Sequence, residues 1–584
     1  MTQKQLDAVQ QLLVEEVSEK NLMEYTEEVS KEVRLSGTHE EYRAFQYVKD
    51  TLEGFGLSTQ LLECDAYISL PGEASLRVDD KEFKCITHSM AQPTQEGGLQ
   101  GELVYVGKGL PQDYQQADVQ GKIVLIDGLA VPGAVKLAQQ FGAIAALFIN
   151  AAYTHEMIVS PVWGSPTPET QQLLPKIPVA SVNHADGEGI KADVKGGAKL
   201  SVWMKTEVDT GWRKIPTLIA EIPGTVEPDK FVMFSGHIDS WHYGAMDNGS
   251  ADATMMEVAR ILSENRDKLR RTLRLAFWSG HSHGRYAGSA WYCDTYWEEL
   301  YENCVLHINV DSVGGKGATI LSEANSMAET KDLAAGPVAA IADQEFIGSR
   351  FGRAGDQSFL GTGTPSLFMG LSEQQPSTDP AAQAFAMLFG GGRAGGFGWW
   401  WHTTEDTIDK LDPDNLVRDC KIYVGTVYEA CSNPILPVNQ LSAVQELKGH
   451  LIAYQEKAGE RLDLAKSVDR ITALENLVTE IYASIHNKIL TEEQVSLVNQ
   501  GLMDLSRILI PLNYIRGSIY EHDLALKQAP IPALAEIDQL AEVEVGSDAF
   551  YQYKTLLVRR VNRVNHALLQ GSQVSTELLN KLAD

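Results

Sequence analysis

The chain has 584 residues and a formal net charge of −29, from 49 lysines and arginines against 78 aspartates and glutamates. This length is too great for one hydrophobic core and predicts about three domains of ~100–200 residues each. The excess of negative charge argues against nucleic-acid or anionic-membrane partners, whose phosphates it would repel.

Cysteine usage indicates the compartment. Six cysteines are scattered along the chain, without a Cys-x-x-Cys pair or a dense framework, at positions 64, 85, 293, 304, 420 and 431. Such spacing is typical of buried thiols in a reducing environment. The first residues contain no apolar signal core, and no apolar run approaches the ~20 residues that cross a bilayer. The sequence therefore predicts a cytoplasmic protein.

The N-terminal part predicts two helices. Residues 1–35 are charged and have helical periodicity. After a turn, Thr38 is a predicted N-cap, with Glu41 at the capping-box position. The helix that follows carries apolar residues at core spacing and is predicted to end at residues 54–56.

From Cys64 to about residue 212 the chain is rich in predicted strands and glycines. Apolar runs at 101–107, 121–128 and 142–149 are separated by a helix-like segment at 134–140. In their order, these motifs resemble the protease-associated domain. The resemblance implies an insert that walls a neighbouring cleft and helps to define the substrate; the alternative is an inert β-rich insert.

Three later apolar runs are each followed by side chains of the kind that bind metals. The runs and the polar residues after them are 231–236 with His237 and Asp239, 273–278 with His281 and His283, and 305–310 with Asp311. Parallel strands end at the same edge of a sheet, and ligands of α/β sheets lie outside those carboxyl ends. The pattern predicts an α/β sheet with a metal site at this edge.

The segment after Asp311 supplies candidates for substrate binding. Arg353 is predicted to pair with a substrate carboxylate, although a structural salt bridge is an equal alternative. Residues 389–401 are rich in glycine and aromatic residues and are predicted to form a lid or pocket lip. Arg393 and Trp401 lie in this segment.

The C-terminal part is predicted to be helical. A helix covers residues 413–430, and proline residues separate it from the region after residue 437. Apolar stripes at helical spacing in 474–485 and 556–568 predict the core of a helical bundle.

Several of these residues occur in the order of a known family. His237-Ile-Asp239-Ser, Asp247 ten residues later, Asp311 and Trp401-His402-Thr-Thr-Glu resemble the co-catalytic zinc aminopeptidases. Glutamate carboxypeptidase II, the transferrin receptor and glutaminyl cyclase belong to the same superfamily. The resemblance covers roughly residues 30 to 435. It implies a mixed-sheet, phosphorylase/hydrolase-like zinc-peptidase domain with an inserted protease-associated domain and a C-terminal helical domain.

The resemblance also implies a ligand set and a domain layout. One metal would be held by His237, Asp247 and Asp311, and Asp247 would bridge to a second metal held with His402. Asp239 would fix the tautomer of the first histidine. The implied boundaries are 1–63 and 213–437 for the peptidase domain, 64–212 for the insert and 438–584 for the helical domain.

One motif departs from the family. Where relatives have Gly-Glu-Glu, which supplies a general base and a metal ligand, this chain has Gly280-His281-Ser282-His283. Either histidine could replace a ligand or act as the base, since an imidazole has a pKa near ~6.5. In an extended segment both would point to the same side. The alternatives are a single metal at His237, Asp247 and Asp311, or a retired site.

Two further candidates complete the predicted chemistry. Tyr286, or an arginine, would supply the donor to the oxyanion that relatives place beside the last histidine. Glu405 is a further candidate for the base, and Asp406 is predicted to orient the histidine.

The sequence therefore predicts a cytoplasmic metal-dependent hydrolase of amide bonds in small peptides or amino-acid conjugates. It would use one or two zinc ions, with manganese, cobalt or iron as alternatives, and would form a homodimer through its C-terminal helices. Two other functions stay open. One is a non-catalytic binding or scaffold protein, and the other is a metal enzyme with different chemistry, such as cyclisation.

Overall fold

A computed structural model of the chain describes residues 6–322, 324–352, 355–378, 382 and 395–583. Within these residues one sheet of 13 strands runs through the molecule. Its strands are β1 (Ser58–Val78), β2 (Lys81–Phe83), β3 (Cys85–Thr87), β4 (Leu99–Tyr105), β5 (Ile123–Asp127), β6 (Ala145–Ile149), β7 (Val179–Val182), β8 (Ser201–Ile222), β9 (Glu227–His237), β10 (Arg271–Trp278), β11 (Cys304–Val310), β12 (Asn325–Ser326) and β13 (Ser366–Met369).

The described part of the chain also contains 17 α-helices, numbered here in chain order. They are α1 (Ala8–Glu15), α2 (Glu19–Val29), α3 (His39–Gly54), α4 (Pro111–Gln115), α5 (Pro132–Gln140), α6 (His184–Lys195), α7 (Ser250–Glu264), α8 (His281–Gly284), α9 (Ala287–Thr295), α10 (Trp297–Asn303), α11 (Lys331–Ala342), α12 (Pro413–Ser432), α13 (Gln440–Ala458), α14 (Ala465–Asn487), α15 (Glu492–Tyr514), α16 (Ile537–Glu542) and α17 (Asp548–Ala583). None of the helices in these residues is both long and apolar enough to cross a membrane.

Strand β9 lies at the centre of the functional half of the sheet. It pairs in parallel with β10 on one side and β11 on the other, and β13 continues the parallel order beyond β11. The carboxyl ends of these strands therefore open at one edge. The three strands predicted from the apolar runs are confirmed.

Alternate residues of β9 enter different cores. Val232 and Phe234 pack with the helices that include α2, α7 and α12, whereas Phe231 and Met233 pack with α9 and α10. A strand buried on both faces explains why this run is apolar throughout rather than alternating. Helices on both faces of a mainly parallel sheet are typical of an α/β domain.

Two long strands carry the chain into the inserted region. β1 and β8 pair antiparallel from Ser58 opposite Glu221 to Val78 opposite Val202, with a bulge between Pro71 and Ala74. Strand β4 adds to β8, and β5, β6 and β7 follow in parallel. The predicted β-rich insert therefore shares one continuous sheet with the rest of the molecule.

The start of α3 differs in one detail from the prediction. Thr38 is the N-cap, and its hydroxyl accepts the backbone N–H of Glu41 at 3.4 Å. The Glu41 carboxylate accepts the N–H of Gly37 at 2.7 Å, one residue before the cap. Burial raises the pKa of Glu41 well above its ordinary value. The side chain thus shapes the turn before the helix instead of completing a capping box.

The C-terminal helices are joined to the sheet domain by a buried arginine. Arg507 of α15 donates to the backbone carbonyl oxygens of Leu300, Tyr301, Cys304 and Gly363 at 2.6–3.2 Å. These carbonyls belong to α10, the start of β11 and the loop before β13. One guanidinium therefore satisfies four acceptors from three segments of the other domain.

Replacing this arginine should destabilise the protein. Arg507→Met removes the donors to these four carbonyl oxygens and buries a group that cannot replace them, which we expect to cost ~2–5 kcal/mol. Denaturant unfolding followed by intrinsic fluorescence measures the loss. The matched control is Arg559→Met on the exposed side of α17, expected to change stability by less than ~0.5 kcal/mol. Equal midpoints for the two variants would contradict the role of Arg507.

Candidate metal centre

His237 is the last residue of β9 and is 1% exposed. Its Nδ1 lies 2.8 Å from the backbone carbonyl oxygen of Asp239. Because a carbonyl can only accept, Nδ1 carries a proton, and Nε2 is the nitrogen that could bind a metal through its lone pair when the ring is neutral. Nε2 lies 3.3 Å from Asp247 Oδ1 and 3.6 Å from Asp311 Oδ2. It has no hydrogen-bond partner, so these atoms are arranged around a shared position.

The charges of this cluster depend on one another. Burial lowers the pKa of His237, but Asp239, Asp247 and Asp311 outweigh it and hold that pKa well above its usual value. Burial raises the pKa of Asp247, yet His237 and His402 hold it well below its usual range. The pocket therefore favours a positive charge at this position.

Asp247 lies between two imidazoles. It sits in a π-helical turn, Ala245–Gly249, and its second oxygen, Oδ2, is 3.0 Å from His402 Nε2. The carboxylate of Asp406 accepts the backbone N–H groups of Met246 and Asp247, both at 3.0 Å. Asp406 thus orients the turn that carries the aspartate, rather than the histidine ring as predicted.

Asp311 follows β11 directly and is 9% exposed. Its Oδ1 accepts the hydroxyl of Ser312 at 2.9 Å, which leaves Oδ2 facing His237. His237 ends β9 and Asp311 follows the neighbouring parallel strand β11, so the imidazole and the carboxylate meet at the same edge of the sheet.

His281 joins this group from the end of β10. Its ring stacks on that of His237, with centroids 3.7 Å apart and planes within 10°. His237, His281 and Asp311 each offer one ligand atom, and these atoms lie within 4.8 Å of one another. His281 Nδ1 is 2.7 Å from Asp356 Oδ2, and Ser289 donates to the other oxygen of Asp356 at 2.7 Å.

The prediction that His281 and His283 point to the same side is wrong. Residues 281–284 form the helical turn α8, because Gly280, two residues after the end of β10, adopts a left-handed conformation with φ of +71°. Positions two apart on a helix differ in direction by ~200°. His283 therefore turns inward, with Nδ1 3.0 Å from the hydroxyl of Ser36. Burial lowers its pKa to about 4.

Asp239 is fully buried and ties three segments together. Its carboxylate accepts the hydroxyl of Ser36 at 2.7 Å and the backbone N–H groups of His281 and Ser282 at 3.2 and 2.9 Å. The carboxylate thus holds α8 beside the end of β9. The orientation of His237, predicted to come from this carboxylate, comes from the carbonyl of the same residue.

The inserted region orients His402. The ring Nδ1 lies 2.7 Å from the carbonyl oxygen of Glu156, and the N–H of Glu156 donates to the carbonyl of His402 at 2.9 Å. The indole N–H of Trp241 donates to His402 Nε2 at 3.1 Å. Trp401 is 8% exposed and stacks on the same ring, with centroids 3.3 Å apart.

Of the remaining predicted site residues, Tyr286 contacts a site histidine, and Glu405 makes a local contact. Tyr286 is 5% exposed, meets His281 edge-on with ring centroids 4.9 Å apart, and packs on Trp163. Glu405 accepts a weak bond from the neighbouring Thr404. Arg353 and Arg393 lie outside the described residues.

Four residues contact the histidines of the site in ways that the sequence analysis did not predict. They are Ser36, Glu156, Trp241 and Asp356. Each lies in a loop and meets its partner only through the fold. Trp241 alone had a local cue, because it follows the His-x-Asp-Ser motif by one residue.

The donor set fits a zinc ion. Neutral imidazole nitrogens and carboxylate oxygens are the ligands that zinc prefers after thiolates. The Nε2 atom of His237 is buried without a hydrogen bond and faces the carboxylates of Asp247 and Asp311. Such buried acceptors are costly unless a cation or proton lies among them.

Two parts of the sequence match known families. Residues 217–425 match peptidase family M28, and residues 99–190 match the PA domain. The probable glutamate carboxypeptidase VP8 of Zea mays is 27% identical over 348 residues, which are 48% of this chain and 49% of that protein. Carboxypeptidase Q of Bos taurus is 28% identical over 285 residues, 44% of this chain and 57% of that protein. The chain thus spans about half the length of the curated relatives it matches.

A solved structure has the same fold. BSAP, a zinc aminopeptidase from Bacillus subtilis, superposes with a TM-score of 0.54 at 21% identity. The match covers 71% of this chain and 96% of that one.

Proposed function

We propose that this chain, which belongs to peptidase family M28 and carries an inserted PA domain, is a metal-dependent hydrolase of amide bonds in small peptides or amino-acid conjugates. The predicted fold class is confirmed. The observation that carries the function is the convergence of His237, Asp247, Asp311 and His402 at one edge of the sheet. Their ligand atoms come from four separate segments of the chain.

The relatives support this class of substrate. They include a probable glutamate carboxypeptidase, a carboxypeptidase and a zinc aminopeptidase. An apolar, aromatic surround of His281 and His402, with Tyr286, Trp241 and Trp401, suits a small organic substrate.

His237, Asp247 and Asp311 are the residues that would hold zinc, with manganese, cobalt or iron as alternative metals. Bound zinc would polarise the scissile carbonyl and lower the pKa of a water molecule. Asp239 and Asp406 keep these ligands in place through backbone groups, as described above.

His281 takes the place of the missing glutamate base. It follows Gly280 at the position where relatives have the first glutamate. Donation of its Nδ1–H to Asp356 leaves Nε2 free to remove a proton from the attacking water and to return it to the leaving amine. Asp356 is a positioning residue, and Ser289 fixes its other oxygen.

Substrate contacts are assigned by position. Trp401 and Tyr286 border the two histidines, and we propose that Tyr286 donates to the developing oxyanion. Arg353 and Arg393 are proposed, from the sequence, to pair with a substrate carboxylate.

The main test is hydrolysis by metal-replete protein. We expect cleavage of at least one aminoacyl amide or acyl-amino acid after loading with zinc, manganese or cobalt. Chelation should abolish the activity and fresh metal should restore it. Asp311→Asn, treated in the same way, is the inactive control. If metal-replete protein cleaves none of these compounds, the peptidase assignment fails and a binding role replaces it.

If His281 is the base and not a metal ligand, its replacement should lower kcat without lowering the metal content. His281→Gln should lower kcat by ~10²–10⁴-fold with little change in KM, because proton transfer is lost. Asp356→Asn should lower kcat by ~10–100-fold. Both variants should retain zinc, measured by mass spectrometry of the metal. His39→Gln, on the exposed start of α3, is the matched control. Loss of zinc from His281→Gln would show that His281 is a ligand instead.

We further propose a cytoplasmic homodimer formed through the C-terminal helices. Helix α17 exposes Tyr551, Val558 and Leu569 to 59%, 48% and 41%. Their spacing of 7 and 11 residues places them on one face of the helix. All six cysteines are free thiols, which supports a reducing compartment.

The dimer is tested by light scattering after size exclusion. We expect a mass near twice the 64.2 kDa of one chain. Val558→Glu should shift the protein to monomer, because it places a charge in the apolar face. Val226→Glu, at an exposed site far along the chain, should leave the mass unchanged. A monomeric wild-type protein at micromolar concentration would exclude the dimer.

A further inference from the structure

The second metal position of the site has few donors. The family pattern places there a bridging aspartate, the last histidine and a glutamate. Here Asp247 Oδ2 and His402 Nε2 are present, 3.0 Å apart, but Ser282 stands in place of the glutamate. Ser282 is 2% exposed, and its backbone N–H is bound to Asp239. A neutral hydroxyl supplies neither the charge nor the reach of a carboxylate.

The nitrogen of His402 that would bind this ion already has a donor. Its Nδ1 faces the carbonyl oxygen of Glu156, which can only accept, so Nδ1 carries a proton. The remaining lone pair, on Nε2, accepts the indole N–H of Trp241 at 3.1 Å. One lone pair cannot serve both a hydrogen bond and a metal ion.

The indole is not free to leave. Trp241 is 4% exposed and packs on His283 as well as on His402, with ring centroids 4.6 and 5.2 Å away. His283 is itself held by Ser36. A second ion would therefore have to displace a buried tryptophan and would gain two protein donors, against the three or four of an ordinary zinc site.

The first metal position, at His237, has more candidate ligand atoms than the second. His237 Nε2 faces oxygens of both Asp247 and Asp311, and a nitrogen of His281 lies within 4.8 Å of the ligand atoms of His237 and Asp311.

We propose that this protein holds a single metal ion, at His237, Asp247 and Asp311, and that the indole N–H of Trp241 takes the place of the second ion at His402. The N–H supplies a fixed partial positive charge where relatives with the full ligand set would place a cation. This inference rests on the proposed function but concerns the number of ions and not the reaction.

The test is metal stoichiometry. Wild-type protein is equilibrated with buffered zinc, dialysed, and analysed by mass spectrometry of the metal and by titration of the cobalt-loaded absorption spectrum. We expect one ion per chain. His402→Ala should still hold one ion, whereas Asp311→Asn should lose it. The inference would be overturned if the wild-type protein held two ions. It would also be overturned if the metal content of His402→Ala were half that of the wild-type protein.

A second set of variants tests the cause. Ser282→Glu combined with Trp241→Phe restores the carboxylate and removes the N–H, and we expect the content to rise from one ion to two per chain. Trp241→Phe alone should remain at one, because a third donor is still absent. If the double variant folds, as judged by its unfolding midpoint, and stays at one ion, Trp241 and Ser282 do not set the stoichiometry.

The two proposals can fail separately. Two ions in a protein that hydrolyses amides overturn the single-ion inference and leave the function intact. One ion in a protein that cleaves no amide overturns the function alone.

Discussion

The site depends on one buried lone pair, that of His237 Nε2, which faces two carboxylates without a hydrogen bond. Buried carboxylates are stable only with a partner of opposite charge. The raised pKa of His237 expresses this need, because the imidazole is the nearest group that can become a cation. A metal ion satisfies the same need and releases the imidazole to act as a ligand.

Distant parts of the chain hold this arrangement in place. Ser36, from the N-terminal turn, binds the carboxylate that clamps α8, and Arg34 donates to the carbonyls of Ile238 and Gly244 in the loop after His237. Glu156, from the insert, fixes His402. The PA domain is therefore part of the site's geometry, because its backbone sets the tautomer of a candidate ligand.

The sequence predicted the strands and the polar residues that follow them, but it did not predict contacts between residues far apart in the chain. The apolar runs located β9, β10 and β11, and the polar residues after them located His237, His281 and Asp311, because parallel strands deliver their ends to one edge. It did not predict the contact between Asp356 and His281, which are 75 positions apart. The direction of His283 was wrong because one residue, Gly280, turns the strand into a helix, and apolar periodicity does not report a single positive φ.

The loss of negative charge in the Gly280–His283 motif affects the proposed metal site as well as the proposed general base. Replacing Glu-Glu by His281-Ser282 removes two carboxylates from the edge of the sheet. Of the aspartates that remain, Asp247 and Asp311 face His237 directly, whereas Asp239 is occupied by hydrogen bonds from Ser36 and α8. The first metal position thus has two facing carboxylates, whereas of these two only that of Asp247 also faces His402. The indole N–H of Trp241 suits the position that has the single carboxylate, since it donates to His402 without adding a net charge.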